Sequence, residues 1–368
     1  MSMEGDFIKI NEWLTPLSWI YGLGVSIRNI CFDTGILRQH SFNTPVIAVG
    51  NLTVGGCGKT PHVEYLIELL KDDNQVAVLS RGYKRKSKGY IRAEKNTEMP
   101  VIGDEPYQMK QKHPDVYVAV DADRVHGIKR ILDDKETSDT DVILLDDAYQ
   151  HRYVKPGVNI LLVDYHRLII YDKLLPAGRL REPAVGKERA DVVIVTKCPE
   201  ELRPMDYRVL TRAMNLRPYQ KLFFTNIAYD NLVSYKGKKR RELASLDKDT
   251  KILVLSGIAS PEQMISDLKA YSENITTLTY PDHHQFRKKD LDKINSTFEK
   301  MEGKKIIITT EKDVTRLHHL DGLSQEVINN LFILPIHIEF KLDQQEQFNE
   351  YIQSYVMKNS KNSVLNKG

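Results

Sequence analysis

The segment TVGGCGKT, Thr53 to Thr60, sets three glycines, a lysine and a threonine hydroxyl at the spacing of a phosphate-binding loop. Such a loop works because backbone N–H groups and a helix N-terminus converge on an anion. Gly55, Gly56 and Gly58 allow the backbone to come close, Lys59 is spaced to reach the β- and γ-phosphates, and the Thr60 hydroxyl suits a magnesium ligand. Thr53 stands where the GxxxxGK[ST] pattern has its first glycine, and Cys57 lies inside the loop. This chemistry also needs a carboxylate at the end of a neighbouring strand to complete the magnesium shell. VILLDDAYQH, Val142 to His151, supplies it: Asp146 follows four apolar residues, with Asp147 beside it. Two aspartates that merely cap a helix would explain this segment alone, but not its company.

The base of the nucleotide is tested by the apolar run Val192 to Val195, which ends in TKCP. Pro199 occupies the place of the Asp in a guanine-reading [NT]KxD motif, so ATP is the expected nucleotide. Three further clusters hold groups suited to phosphoryl transfer: GDEPYQM from Gly103, LLPAGRLREP from Leu174 and YPDHHQF from Tyr280. A carboxylate can orient or deprotonate an acceptor hydroxyl, and an imidazole can tune that carboxylate. Each stretch taken alone also reads as a capped turn or surface loop, and spacing does not show that they converge. SRGYKRKSKGY, Ser80 to Tyr90, carries five Lys/Arg among eleven residues, compatible with a solvated loop, a nucleic-acid contact or a face toward an anionic membrane or phosphate.

These residues need a scaffold. Continuous apolar runs at Val46–Val49, Val76–Leu79, Val116–Val120, Val142–Leu145, Val158–Val163 and Val192–Val195 suit buried parallel strands, and helical spacing follows the glycine loop at Val63, Leu66, Ile67, Leu69 and Leu70. A second series runs through Lys221–Ile227, Ile252–Leu255, Thr276–Thr279, Lys305–Ile308 and Leu331–Phe340. Its first and last runs bracket a smaller α/β unit, and the periodic Gln345–Val356 segment implies a return to the first. The expected fold is a P-loop NTPase-like α/β/α sandwich with a smaller α/β domain on a two-stranded hinge. Residues 1–218 form the catalytic domain, 219–340 the smaller domain with its hinge strands, and 341–368 return to the first. KGKKRRE, Lys236 to Glu242, reads as a solvated loop, and the polar tail from Lys358 as frayed.

The length of 368 residues fits two domains. A net charge of +3 is too small to argue for nucleic acid, and three cysteines without CxxC spacing indicate neither a disulfide framework nor zinc. No stretch approaches the roughly 20 apolar residues of a spanning helix. The candidate Trp13–Ile30 contains Pro16, Gly22, Gly24 and Arg28 and follows acidic Glu4 and Asp6, unlike a signal peptide. It holds both tryptophans, which suit either an in-plane membrane anchor or a helix docked on its own core.

Taken together, the motifs resemble the tetraacyldisaccharide 4'-kinases, or lipid A 4'-kinases, of Gram-negative bacteria. VGNLTVGGCGKTP, LSRGYKRKSKGY, GDEP, DADR, LLDDAYQHR, LLPAGRLREP, YPDHHQF and TTEKDVTRL occur in this order between Thr44 and Leu317. The resemblance implies ATP- and Mg2+-dependent phosphorylation of the 4'-hydroxyl of a tetraacylated glucosamine disaccharide 1-phosphate, giving lipid IVA. It implies a cleft between the two domains, peripheral on the cytoplasmic face of the inner membrane, with no nucleic acid and no obligate protein partner. Carried over, Thr53, Gly55, Gly56, Cys57, Gly58, Lys59 and Thr60 match the nucleotide loop, and Thr60, Asp146 and Glu182 the magnesium set. Asp104 matches the catalytic base and His283 its imidazole partner, with Lys59 and Asp147 completing the catalytic group. Arg124, Gln150, His151 and Arg181 resemble residues near the sugar phosphate. A lipid substrate also turns Trp13–Ile30 and Lys84–Lys88 toward the membrane. Two departures stand out: Cys57 replaces the usual Ser or Thr, and DDAYQH replaces DDGFQH, so Ala148 matters only if that position needs positive φ. A P-loop GTPase switch or metallochaperone-like protein, and a nucleic-acid-binding ATPase, are the rival readings. TKCP and the lack of clustered metal-ligand cysteines count against the switch.

Overall fold

The structure, a computed structural model, describes residues 10–237, 239–317 and 320–365, with side chains described to residue 360. The first series of apolar runs builds β1 (Val46–Asn51), β2 (Val76–Ser80), β4 (Tyr117–Val120), β5 (Val142–Asp146), β6 (Val158–Asp164) and β7 (Val192–Thr196), with a short unexpected β3 (Ile91–Arg92), and the first run of the second series forms β8 (Lys221–Tyr229). After the unexpected short strands β9 (Leu232–Ser234) and β10 (Arg240–Arg241), the rest of the second series builds β11 (Lys251–Ser256), β12 (Ile275–Thr279), β13 (Lys305–Thr310) and β14 (Leu331–Leu334), before β15 (Ile336–Phe340). Among the described residues these form a nine-stranded sheet, β15-β8-β7-β6-β1-β5-β2-β4-β3, and a six-stranded sheet, β10-β9-β14-β13-β11-β12.

The inner strands of the large sheet pair in parallel and are covered on both faces, so every residue of β1, β2, β5 and β7 is buried. That is why these runs are continuously apolar rather than alternating. Register brings the strand ends level: Val49 lies opposite Asp146, and Leu79 opposite Leu145, one residue before Ser80. The loop from Thr53, the second carboxylate and Ser80 therefore leave neighbouring strands on one edge, where open α/β sheets bind ligands.

The chain passes between the sheets through β8 and β15, which were expected as hinge strands. They pair antiparallel and form one edge of the nine-stranded sheet. The run Leu331–Phe340, expected as one strand, is two. Pro335 divides it, because proline has no N–H for a ladder, and β14 stays in the smaller sheet while β15 joins the larger. The final helix, Gln345–Leu365, lays Phe348, Ile352 and Val356 into one cluster with Phe223, Ile338 and Phe340. The tail expected to fray from Lys358 thus continues this helix to Leu365. Arg240 and Arg241 of the expected basic loop pair with β9, while Lys238 lies outside the described residues, as do Glu4 and Asp6.

Candidate active site

The glycine loop leaves β1 through Asn51, whose buried amide nitrogen donates to the Thr53 carbonyl at 2.9 Å and reaches Cys57 Sγ at 2.9 Å. Thr53 itself is extended, bridged to Leu180, with Val54 N donating to Arg179 O at 2.8 Å. A glycine is unnecessary there because no positive φ is required. Gly58 does require it: at φ 76° it turns the loop into the helix Lys59–Leu70. Lys59 Nζ lies 3.3 Å from Asn51 Oδ1 and 3.6 Å from Asp147 Oδ1. His62, one turn into the helix, donates from Nδ1 to the Gly58 carbonyl at 2.7 Å and accepts from the Thr225 hydroxyl at 3.1 Å, fastening the loop to β8.

Asp146 and Asp147 are adjacent in sequence and opposite in electrostatics. Burial, with the charges of Glu105 and Asp147, pushes the Asp146 pKa up. Its Oδ2 accepts from Ser80 Oγ at 2.9 Å, whereas Oδ1 is buried without a hydrogen-bond partner. For Asp147 burial acts the same way, but Lys59 and Arg181 outweigh it and hold the pKa down. No group of three His, Cys, Asp or Glu side chains among the described residues could hold a metal alone. Magnesium beside phosphates asks for only one or two protein ligands, so the orphaned Asp146 oxygen fits it.

The six-stranded sheet sends two side chains to Asp104, the first residue of the helix Asp104–Lys112. His283, at φ 58° in the loop after β12, donates from Nδ1 to Asp104 Oδ2 at 2.8 Å. Arg316, in the helix Glu311–Leu317 after β13, donates to the same oxygen from Nε at 3.2 Å and Nη2 at 2.5 Å. Burial works to raise the Asp104 pKa, but the His283 hydrogen bond and the charges of Lys312 and Arg316 prevail and hold it below the usual carboxylate range. Beside it, Lys312 pairs with Glu105 at 3.1 Å.

The remaining expected residues divide. Arg181 Nη1 reaches Asp147 Oδ1 and Gln150 Oε1, both at 3.3 Å, and Gln150 Nε2 donates to Asn51 O at 2.7 Å. These join Lys59 and Asp147 in one network. Glu182 stands next to it rather than open to a metal: both oxygens accept from Arg189 at 2.9 Å, and Asn29 and Gln150 donate as well. Arg124, expected near the sugar phosphate, is instead buried, its guanidinium donating to the carbonyls of Asp121 at 3.0 Å and Asp146 at 3.3 Å. Its backbone N donates to His151 Nε2 at 3.3 Å, and burial with the Arg124 charge lowers the His151 pKa to about 4. Sequence reading singled out neither Arg316 nor Asn51 and Ser80. KDVTR does place Lys312 and Arg316 one helical turn apart, but nothing in the spacing points that face at Asp104.

The family described as Tetraacyldisaccharide-1-P 4'-kinase matches residues 10–357. A Tetraacyldisaccharide 4'-kinase of Phocaeicola vulgatus is 55% identical over 363 residues, covering 98% of this chain and 99% of its own. The chain belongs to the tetraacyldisaccharide 4'-kinase family. A relative of the same name from Flavobacterium johnsoniae is 46% identical, over 95% of this chain and 98% of its own. The crystal structure of LpxK from Aquifex aeolicus in complex with ATP superposes with a TM-score of 0.72 at 30% identity, over 94% of this chain and 99% of that one.

Both departures from the kinase family's motifs have a local account. Positive φ falls on Asp147, at 47°, and not on Ala148, so the alanine carries no backbone strain. Cys57 is buried and its Sγ lies 3.2 Å from Thr53 Oγ1 as well as against Asn51, so the thiol braces the loop where a hydroxyl is usual. A cleft of about 480 Å³ opens beside Val54 and Gly55, walled on the other side by Ala259, Tyr280 and Asp282. Next to the site, the helix Thr15–Asp33 docks one face, with Ser18 Oγ donating to Leu174 O at 2.9 Å and Tyr21 Oη to Arg181 O at 2.7 Å. Its other face exposes Trp19, Ile20, Leu23 and Ile27, and Trp13 just before it is 94% exposed.

Proposed function

We propose that the chain transfers the γ-phosphoryl group of ATP to the 4'-hydroxyl of tetraacyldisaccharide 1-phosphate, giving lipid IVA and ADP. The observation that carries this reading is the meeting of His283 and Asp104 at 2.8 Å, in a chain whose P-loop ends at Thr60. Asp104 Oδ2 is held by His283 and Arg316, which leaves Oδ1 to accept from the sugar hydroxyl. As the 4'-oxygen bonds to phosphorus and the bond to the β-phosphate oxygen breaks, the hydroxyl proton passes to Asp104. A carboxylate of depressed pKa suits a loose transition state, in which the proton leaves late and alignment matters more than basicity.

Lys59 exchanges Asn51 and Asp147 for the β- and γ-phosphates, and the loop N–H groups from Gly55 to Thr60 cradle them. Thr60 and Asp146 would hold Mg2+, which when bound neutralises charge on the transferred group. Arg181 and Gln150 present donors toward the sugar phosphate from the network around Asp147, while Arg124, His151 and Glu182 brace the backbone that carries it. The cleft beside Gly55 has room for the nucleoside. We read β8 and β15 as the hinge between a catalytic domain and a smaller domain, closure of which seats His283 on Asp104.

The exposed apolar row of the helix Thr15–Asp33, together with the exposed Lys84, Lys86 and Lys88, supports peripheral attachment to the cytoplasmic face of the inner membrane. No helix among the described residues is long and apolar enough to cross a membrane. The test is transfer from labelled ATP to the lipid disaccharide, read as phosphate at the 4' position. ATP hydrolysis that proceeds without the disaccharide, or a preference for GTP with a protein partner, would overturn the assignment.

A further inference from the structure

Arg316 joins the two sheets through four hydrogen bonds, and nothing in the proposed phosphate-loop chemistry uses it. Its side chain is fully buried, and its donors divide by side. Toward its own sheet, Nη1 donates to the Gly257 carbonyl at 3.0 Å and to Asp313 Oδ1 at 3.1 Å. Asp313 is fixed in turn, its Oδ2 accepting from Gly257 N at 3.0 Å and Thr310 Oγ1 at 2.7 Å. Toward the larger sheet, Nε and Nη2 both grip Asp104 Oδ2.

We propose that Arg316 is a positioning residue for phosphoryl transfer: it clamps one oxygen of Asp104 so that the other faces the acceptor hydroxyl, and it does so only when the six-stranded sheet is seated. The inference rests on the reading of Asp104 as the acceptor's base. Three donors, counting His283 Nδ1, converge on Oδ2, whereas Oδ1 takes only the N–H of Glu105 at 3.1 Å among the described contacts. An ordinary seam contact would not need this. The flanking pairs Glu105–Lys312 and Lys112–Glu311, at 3.1 and 3.0 Å, already join the same two helices and are partly exposed. Pairs of that kind contribute little each, while a buried guanidinium demands a complete set of partners and fixes its target in two directions. The planar fork is what sets the carboxylate's rotation. An ammonium would hold the charge without the angle.

The test uses the full chain with labelled ATP and tetraacyldisaccharide 1-phosphate in mixed micelles, comparing Arg316→Gln, Arg316→Lys, Asp104→Ala and the Asp104→Ala/Arg316→Gln double variant. A misaligned base should lower kcat by about 100-fold in Arg316→Gln while KM for ATP stays within about twofold. Arg316→Lys should recover part of that loss, and the double variant should be no slower than Asp104→Ala alone. Wild-type kcat in Arg316→Gln or in Arg316→Lys, or losses that multiply in the double variant, overturns the proposal. Should Arg316→Gln fail to melt cooperatively, Arg316→Lys decides, a reduced kcat at unchanged Tm supporting the clamp. Near-normal turnover of Asp104→Ala by itself removes the underlying reading, a result distinct from failure of the clamp.

Discussion

At the scale of single residues, the site works by giving like groups unlike surroundings. Asp146 and Asp147 are neighbours, yet Lys59 and Arg181 hold the Asp147 pKa down, while burial with the charges of Glu105 and Asp147 keeps the Asp146 pKa up and leaves one of its oxygens unpartnered. Such divergence suits neighbours with separate work: Asp147 pairs with the lysine and arginine, and on the proposed reading Asp146 is the one that would take a cation. Ser80 orients the second, at 2.9 Å, so Ser80→Ala should raise the magnesium concentration for half-maximal activity about 10- to 100-fold. A magnesium titration that superimposes on the wild type would show that Ser80 does not orient a metal ligand. Asp104→Ala should cut kcat by at least about 100-fold with ATP binding nearly unchanged, checked by nucleotide titration alongside turnover.

At the scale of elements, the glycine loop is held by what surrounds it. Asn51 spans its mouth, the 179–181 segment pairs with its first residues, and His62 ties its exit to β8. Burial lowers the His62 pKa from 6.5 to about 4, so the folded protein keeps the ring neutral, donating to Gly58 and accepting from Thr225. A depressed folded pKa gives stability that is complete above about pH 6.5 and is lost as pH falls toward 4. His62→Gln should flatten the fall in denaturant midpoint across that window, and an equally steep fall in the variant would assign the acid sensitivity elsewhere. The N-terminal helix is an element with two faces: one hydrogen-bonds the 174–182 loop, the other presents Trp19 and Leu23 to solvent. Trp19→Glu with Leu23→Glu should abolish sedimentation with anionic vesicles while leaving turnover of detergent-dispersed substrate within about twofold. Unchanged sedimentation would remove the helix as the attachment face.

At the scale of the molecule, the chain leaves the large sheet at β8, builds the small one, and returns by β15 and the final helix. The core of the larger sheet is therefore unfinished until its last residues arrive. Phe348, 2% exposed among Phe223, Phe340 and Tyr65, fills that place. Phe348→Ala should cost about 3–5 kcal/mol of unfolding free energy, measured by denaturant titration. A loss below about 1 kcal/mol would mean that the helix is an appendage and not part of the core.

The sequence by itself placed the buried strands of the larger sheet and the glycine loop that leaves β1, because a buried parallel strand needs an unbroken apolar run and the loop's glycines and lysine stand at fixed intervals. It also ordered GDEP and PDHHQF as blocks of one family. Only the tertiary structure decided that Leu331–Phe340 serves two sheets, that Arg124 faces inward, and that His283 and Arg316 meet at one oxygen of Asp104. Asp104 and Arg316 are 212 residues apart, and no local periodicity encodes which face of one short helix a distant sheet will turn toward another. Packing of the two sheets' loop-bearing ends decides it, and the chemistry of the site depends on that packing.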